Sequence, residues 1–198
     1  MTATDITIRP AKRGDAALIA ELVNLAGEGL PFYVWHSMTP PGGDPWTTGR
    51  ARAARDEGAF SWRNAWIAEE KDQGAGGLVG YVQPDVPEPI APDLPRMFVP
   101  LQELENSAPG TFYVNVLATR PEFQGRGIGS RLLAFAEHQA GPQGMSLIVS
   151  DANAGARRLY ERAGYRVAAR RSMAKDGWEN PGTEWFLMVK DADRLRGA

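Results

Sequence analysis

The sequence predicts an α/β (α+β) fold in one domain, with about seven strands and about four helices. Three observations carry this. At 198 residues the chain is long enough to bury one core and short for two ordinary domains. Apolar residues recur with period two in some stretches and at helical spacing in others. The best strand pattern, TFYVNVLAT at Thr111 to Thr119, runs directly into RPEFQGRGIGSRLL, a glycine-rich loop opening an amphipathic helix. A content of 43% hydrophobic and 23% charged residues is ordinary for a globular protein.

Taken in order, Asp5 to Arg9 alternates with β-branched residues and reads as a strand. Gly14 and Asp15 then make a turn and cap for the helix AALIAELVNLA, whose Leu18, Leu22 and Leu25 recur at helical spacing. From Glu28 to Trp66 the pattern turns irregular and holds seven of the eighteen aromatic residues. These read equally as core anchors under a long loop or as the wall of a substrate pocket, with one short helix within Thr47 to Glu57. AWIAEE (Ala65 to Glu70) and GGLVGYVQ (Gly76 to Gln83) form a hairpin through the turn KDQGA.

Pro84 to Gly110 carries seven of the fifteen prolines, whose missing N–H groups exclude regular sheet. Only PLQELENSA, Pro100 to Ala108, can make a helical turn or two. The segment reads as an insertion packed on the surface, of a length usually functional or mobile, such as a lid. In the strand that follows, Phe112, Val114, Val116 and Ala118 share one face and Tyr113, Asn115, Leu117 and Thr119 the other. After the loop, Ile128, Leu132, Phe135 and Ala136 mark a helix ending near Gly141. MSLIVS (Met145 to Ser150) is a buried strand, Asn153 to Gly164 a capped helix, and YRVAARRSM and TEWFLMVK two closing strands.

Several functions are excluded by composition. A net charge of −2 provides no basic field for nucleic acid. The absence of cysteine removes disulfides, thiolate metal sites and a cysteine nucleophile, and suits a reducing compartment. No N-terminal h-region and no apolar run of about 18 residues is present, so a soluble, cytoplasmic protein without membrane partners is expected.

A strand, a glycine-rich loop and a helix start together form anion-binding geometry, because bare backbone and unpaired helix N–H groups can approach a phosphate. A P-loop fails here for want of a lysine after the last glycine. The dinucleotide fingerprint fails because its third glycine is Ser130 and too little chain remains for a doubly wound sheet. A plain turn does not account for Gly125, Gly127 and Gly129 together, since glycine near a helix costs about 0.5 to 1 kcal/mol against alanine.

As it stands, Gln124 to Ser130 resembles the Q/R-x-x-G-x-G/A signature of the GCN5-related N-acetyltransferases (GNAT). NAGARRLYERAGYR resembles that family's next segment, with Asn153, Ala156, Leu159, Tyr160, Gly164 and Tyr165 in register. The resemblance extends over nearly the whole chain, and the stretches from Glu28 to Phe60 and from Pro84 to Gly110 match poorly. It implies a single GNAT domain over residues 1–198, with an insertion at about 84–110 and a central mixed, mostly antiparallel sheet. It also implies acetyl-CoA as cosubstrate, no metal, and room for a homodimer.

The resemblance assigns the pyrophosphate to Gln124, Gly125, Arg126, Gly127, Ile128, Gly129 and Ser130, and the pantetheine arm to the backbone of Leu117, Ala118 and Thr119. Asn153 would also bond that arm. The Leu117 N–H would stabilise the developing oxyanion, and Tyr160 would protonate the departing thiolate. The expected reaction is direct attack by a primary amine, best that of a small molecule. The rival expectation is a CoA-binding regulatory or interaction module without turnover.

An ordinary amine of pKa about 10.4 is neutral in only about one molecule in 2,500 at pH 7, a handicap of roughly 4.6 kcal/mol. A proton acceptor is therefore expected, yet the strand at Thr111 to Thr119 carries no carboxylate. Glu69, Glu70, Glu103, Glu105, His36 and water stay open as the base, and His138 reads as structural. The acceptor amine and the length of the acyl chain are not readable from the sequence.

Overall fold

In the computed structural model, which describes residues 5–196, seven strands form one sheet. They are β1 (Ile6–Pro10), β2 (Ala65–Glu70), β3 (Gln73–Val82), β4 (Phe112–Thr119), β5 (Met145–Ser150), β6 (Arg166–Ser172) and β7 (Glu184–Lys190). Their order is β1-β2-β3-β4-β5-β7-β6. The sheet is mixed and mostly antiparallel, β4 and β5 being the parallel pair. Six helices accompany it where about four were expected: α1 (Ala16–Ala26), α2 (Leu30–Met38), α3 (Pro45–Ala53), α4 (Val99–Glu105), α5 (Ile128–Glu137) and α6 (Ala154–Arg162). A five-residue turn of helix, α7 (Ala192–Arg196), follows.

Packing divides the chain into two units, residues 1–80 with 115–136, and residues 81–114 with 137–198. In the first, α1 buries Ile19, Ala20 and Leu22, while Leu25 is 39% exposed. The expected stripe of Leu18, Leu22 and Leu25 is thus corrected. Ile19 and Leu22 share a core with Ile67, Val79, Val116 and Ala118, and Leu18 packs only at its margin. The β2–β3 connection is also tighter than KDQGA. Lys71 and Asp72 alone turn the chain, at φ 52° and 61°, the left-handed pair that suits a two-residue hairpin.

The stretch from Glu28 to Trp66 is more regular than expected, because α2 occupies its beginning and α3 its middle. Gly29 opens α2 at φ 87° and Pro31 sits in the first turn, where a missing N–H costs nothing. The Asp44 carboxylate caps α3, accepting from Trp46 N at 3.0 Å and Thr47 N at 3.1 Å. The aromatics of these helices pack on one another. Trp35, 3% exposed, stacks on Phe60 at 6.0 Å and meets Trp46 at 5.8 Å.

In the second unit β4 pairs with β5 from Phe112↔Met145 to Val114↔Leu147 and, among the described residues, no further. β5 pairs with β7 along its whole length. β6 pairs with β7 alone and ends the sheet, its residues alternately exposed and half-buried. The proline-rich insertion is only partly surface, since α4 packs against β6 and β7 and buries Pro100 and Leu104. No single helix among the described residues is long and apolar enough to cross a membrane.

Candidate active site

The glycine loop belongs to the first unit. β4 leads through Arg120 and a short turn at Pro121–Phe123 into Gln124 to Gly127, and α5 begins at Ile128. Gly125 and Gly127 take φ 75° and 80°, where a side chain would be strained. Within 4 Å of where a Cβ would stand at either glycine there is nothing. Gln124 to Gly127 and Ser130 are exposed, while Ile128 is buried and anchors the helix. The first turn of α5 leaves its leading N–H groups without helical acceptors, the first loop bond being Arg131 N to Gly127 O at 3.1 Å. An open bed of left-handed glycines at a helix start fits a pyrophosphate.

Before the loop, the two faces of β4 diverge in exposure. Val116 and Ala118 are buried, Leu117 and Thr119 half-buried, and Asn115 exposed. The buried face is fixed by Gly76 of β3, where a Cβ would lie 2.6 Å from the Ala118 carbonyl oxygen. Arg120 N closes the same junction on Ala75 O at 2.9 Å.

Arg126 turns its side chain back from the loop. Its guanidinium pairs with Glu70, donates to Glu122 O at 2.9 Å and lies 5.2 Å over the Phe123 ring. The sequence assigned Arg126 to the cofactor through motif register alone, and this long-range pairing had no local signal.

The second unit holds the other expected residues. Asn153 caps α6, its Oδ1 accepting from Ala156 N at 3.1 Å. Tyr160, 7% exposed, lies 6.1 Å from the Tyr165 ring. Burial pushes the Tyr160 hydroxyl up to about 12. Tyr165 is raised further by burial and by the charge of Glu137.

A polar cluster absent from the motifs occupies the same unit. Glu105 ends α4 beside Tyr113 of β4 and Gln83, and Tyr81 meets Tyr113 edge-on at 5.7 Å. Burial raises the Glu105 carboxyl above its ordinary range and the charge of Glu88 adds to this, while Gln83 and Tyr113 pull the other way. Gln83 Nε2 has no hydrogen-bond partner among the described residues, so the amide favours the carboxylate by proximity and not by a formed bond. Tyr113 is raised well above the tyrosine range, first by burial and then by Glu105. Asn106 ties the preceding loop to α4, donating to Glu88 O at 2.8 Å and accepting from Glu88 N at 3.0 Å.

The other base candidates are held in ion pairs or stand at the surface. Glu69 pairs with Arg9 at 2.8 Å, Glu70 with Arg126 and Glu103 with Arg171. His36 is exposed on α2, and His138 is exposed just past α5. Among the described residues no group of three or more His, Cys, Asp or Glu could hold a metal ion.

Compared with known proteins, residues 31–165 match the family model described as acetyltransferase (GNAT) family. No curated protein matches the chain. Among solved structures, an N-acetyltransferase from Staphylococcus aureus Mu50 is 18% identical, with a TM-score of 0.63 over 93% of this chain and 100% of that one. A GNAT family acetyltransferase from Elizabethkingia anophelis with acetyl-CoA bound is 17% identical, with a TM-score of 0.57 over 94% and 97%. The ribosomal-protein-S18-alanine N-acetyltransferase from Escherichia coli is 15% identical, with a TM-score of 0.57 over 94% of each chain. At these identities the likeness concerns the fold.

Proposed function

The chain belongs to the acetyltransferase (GNAT) family as an acetyl-CoA-dependent N-acetyltransferase, and on that premise we propose that it transfers acetyl directly to the primary amine of a small molecule. The observation that carries the amine chemistry is Glu105. It lies outside any ion pair among the described residues and burial raises its carboxyl, whereas Glu69, Glu70 and Glu103 are held in ion pairs and His36 stands exposed on α2. A carboxylate of raised pKa is a stronger base at pH 7 than an ordinary one.

The proposed roles follow the chemistry of each group. The N–H groups from Gln124 to Ser130 bind the pyrophosphate, with the space above Gly125 and Gly127 left for it. Backbone groups of Leu117, Ala118 and Thr119 hold the pantetheine arm, assisted by Asn153. The Leu117 N–H donates to the carbonyl oxygen as negative charge develops there. Glu105, through Tyr113 or water, takes the proton that the amine must lose. The N–C bond forms as the C–S bond breaks, and the sulfur receives its proton from the side of Tyr160.

Burial refines that last assignment. A phenol at about 12 is a weaker acid than a thiol of ordinary pKa about 8.5. Full transfer to give a free tyrosinate is therefore uphill. Tyr160 acts as a hydrogen-bond donor to the nascent thiolate, passing its proton only as another reaches it. A chain without cysteine suits direct attack, since no enzyme thiol is available to carry the acetyl group.

The test is to incubate the protein with acetyl-CoA and a panel of small amines and short peptides, following free thiol and product mass. Thiol release that depends on a small amine is the expected result. Preference for peptide N-termini would overturn the acceptor class, and tight CoA binding with no amine-dependent release would overturn the reaction.

A further inference from the structure

We propose that Glu70 is a positioning residue for the phosphate-binding loop: by holding the Arg126 guanidinium inward, it sets the backbone from Gly125 to Gly127 in the shape that receives pyrophosphate. The inference rests on the reading of that loop as the pyrophosphate bed.

Glu70 is the last residue of β2, its backbone fixed against Ile6 of β1 and Gln73 of β3. Its side chain is 2% exposed, and Arg126 satisfies one carboxylate oxygen. The other oxygen, Oε1, is buried with no hydrogen-bond partner among the described residues. A buried carboxylate is costly to desolvate, and replacing such a pair by packed apolar groups is often neutral or better. Packing alone therefore gives no reason for a glutamate here.

Space points the same way. A cavity of about 260 Å³, lined by Glu70, Lys71, Gln73, Glu122, Phe123 and Arg126, adjoins the pair. On the other side, Gly125 and Gly127 face nothing within 4 Å. Close packing thus holds the loop at its ends, through Phe123 and Ile128, and leaves the two glycines between them unconfined. Gln124 is tied back to the Thr119 and Pro121 carbonyls, and between the two glycines the restraint is Arg126, held at Glu70, at the Glu122 carbonyl and over Phe123. With its charge committed inward, the residue offers the ligand its backbone, and two flexible glycines acquire one conformation before binding. Such preorganisation acts on affinity by reducing what must be ordered on binding.

The test uses Glu70→Gln, Arg126→Gln and the double variant, with acetyl-CoA and with acetyl-pantetheine, which lacks the pyrophosphate. Each single change should raise KM for acetyl-CoA about tenfold, a loss of about 1.4 kcal/mol, with kcat within about twofold. The double variant should be no worse than either single one, because both remove the same contact. With acetyl-pantetheine, Glu70→Gln should match the wild type. Tighter acetyl-CoA binding by Glu70→Gln would mean that a freed Arg126 grips the phosphates itself, and would overturn the proposal. Additive losses, or equal losses with both donors, would overturn it too. If Glu70→Gln fails to fold, Arg126→Lys decides, since it keeps a positive charge beside the buried carboxylate while giving up the guanidinium contacts at the Glu122 carbonyl and over Phe123, and it should still raise KM for acetyl-CoA but not for acetyl-pantetheine. A wild type that used both donors equally well would instead remove the pyrophosphate reading itself.

Discussion

Burial moves Tyr160 and Glu105 in the same direction, and the two residues benefit differently. Tyr160, at about 12, keeps its proton throughout the neutral range and is always ready to donate. Tyr160→Phe should lower kcat about tenfold to a hundredfold, below the 10²–10⁴ of a full general acid, with the Kd of acetyl-CoA unchanged by calorimetry. Lost affinity at unchanged turnover would make it a packing residue. Glu105 is useful only when ionised. As pH falls through its raised pKa the carboxylate is protonated and the base disappears, so kcat/KM should climb with pH in a window above the ordinary 4.5 and then level off. Glu105→Gln should remove that limb and lower kcat about 10²–10⁴-fold; a variant that kept the limb would sink the assignment. Tyr160 was legible in the sequence because a motif fixes its register. Glu105 was one candidate among several, because the partners that engage its rivals are 56 to 68 residues away in sequence, and no local pattern reveals them.

Among the elements, the loop and its supporting strands carry two more predictions. At Gly127, φ 80° and open surroundings mean that a substitution strains the backbone without clashing with the protein. Gly127→Val should cost about 1–3 kcal/mol of stability yet abolish acetyl-CoA binding; a variant binding normally would end the pyrophosphate assignment. Gly76 is the opposite case. A Cβ there meets the Ala118 carbonyl at 2.6 Å and Ile128 Cγ2 at 3.2 Å, so Gly76→Ala should destabilise by about 1–3 kcal/mol in urea and raise KM for acetyl-CoA by displacing β4. Unchanged values on both measures would show that the junction yields freely. The strands were readable because their period of two is local. The helix α2 was not, because Phe32 and Trp35 belong to an aromatic cluster with Trp46 and Phe60 and not to a simple stripe. Gly29 and Pro31 at its start were the usable signal, and they read as loop residues instead.

For the molecule as a whole, a ligand that binds only the folded state should raise its stability. At a hundredfold excess over Kd, acetyl-CoA should contribute about 2.7 kcal/mol, or a shift of roughly 5–10 °C in the unfolding midpoint for a chain of this size. An unshifted midpoint at that concentration would contradict binding. A sheet of seven strands was expected and found because alternation, turn residues and motif order agree along the chain. Which acceptor it serves was not legible, because acceptor specificity resides in segments without a shared pattern. A last consequence concerns behaviour at high concentration. β6 stands at the sheet's end and, among the described residues, pairs with β7 alone, so its outer edge is the kind of rim on which a second chain can grow. Arg166, paired with Asp191, and Arg170, lying over Phe186, stand exposed along it, and charged side chains on an edge strand commonly blunt such growth. By that principle the strand that ends the sheet carries, in its own charged residues, what disfavours its extension.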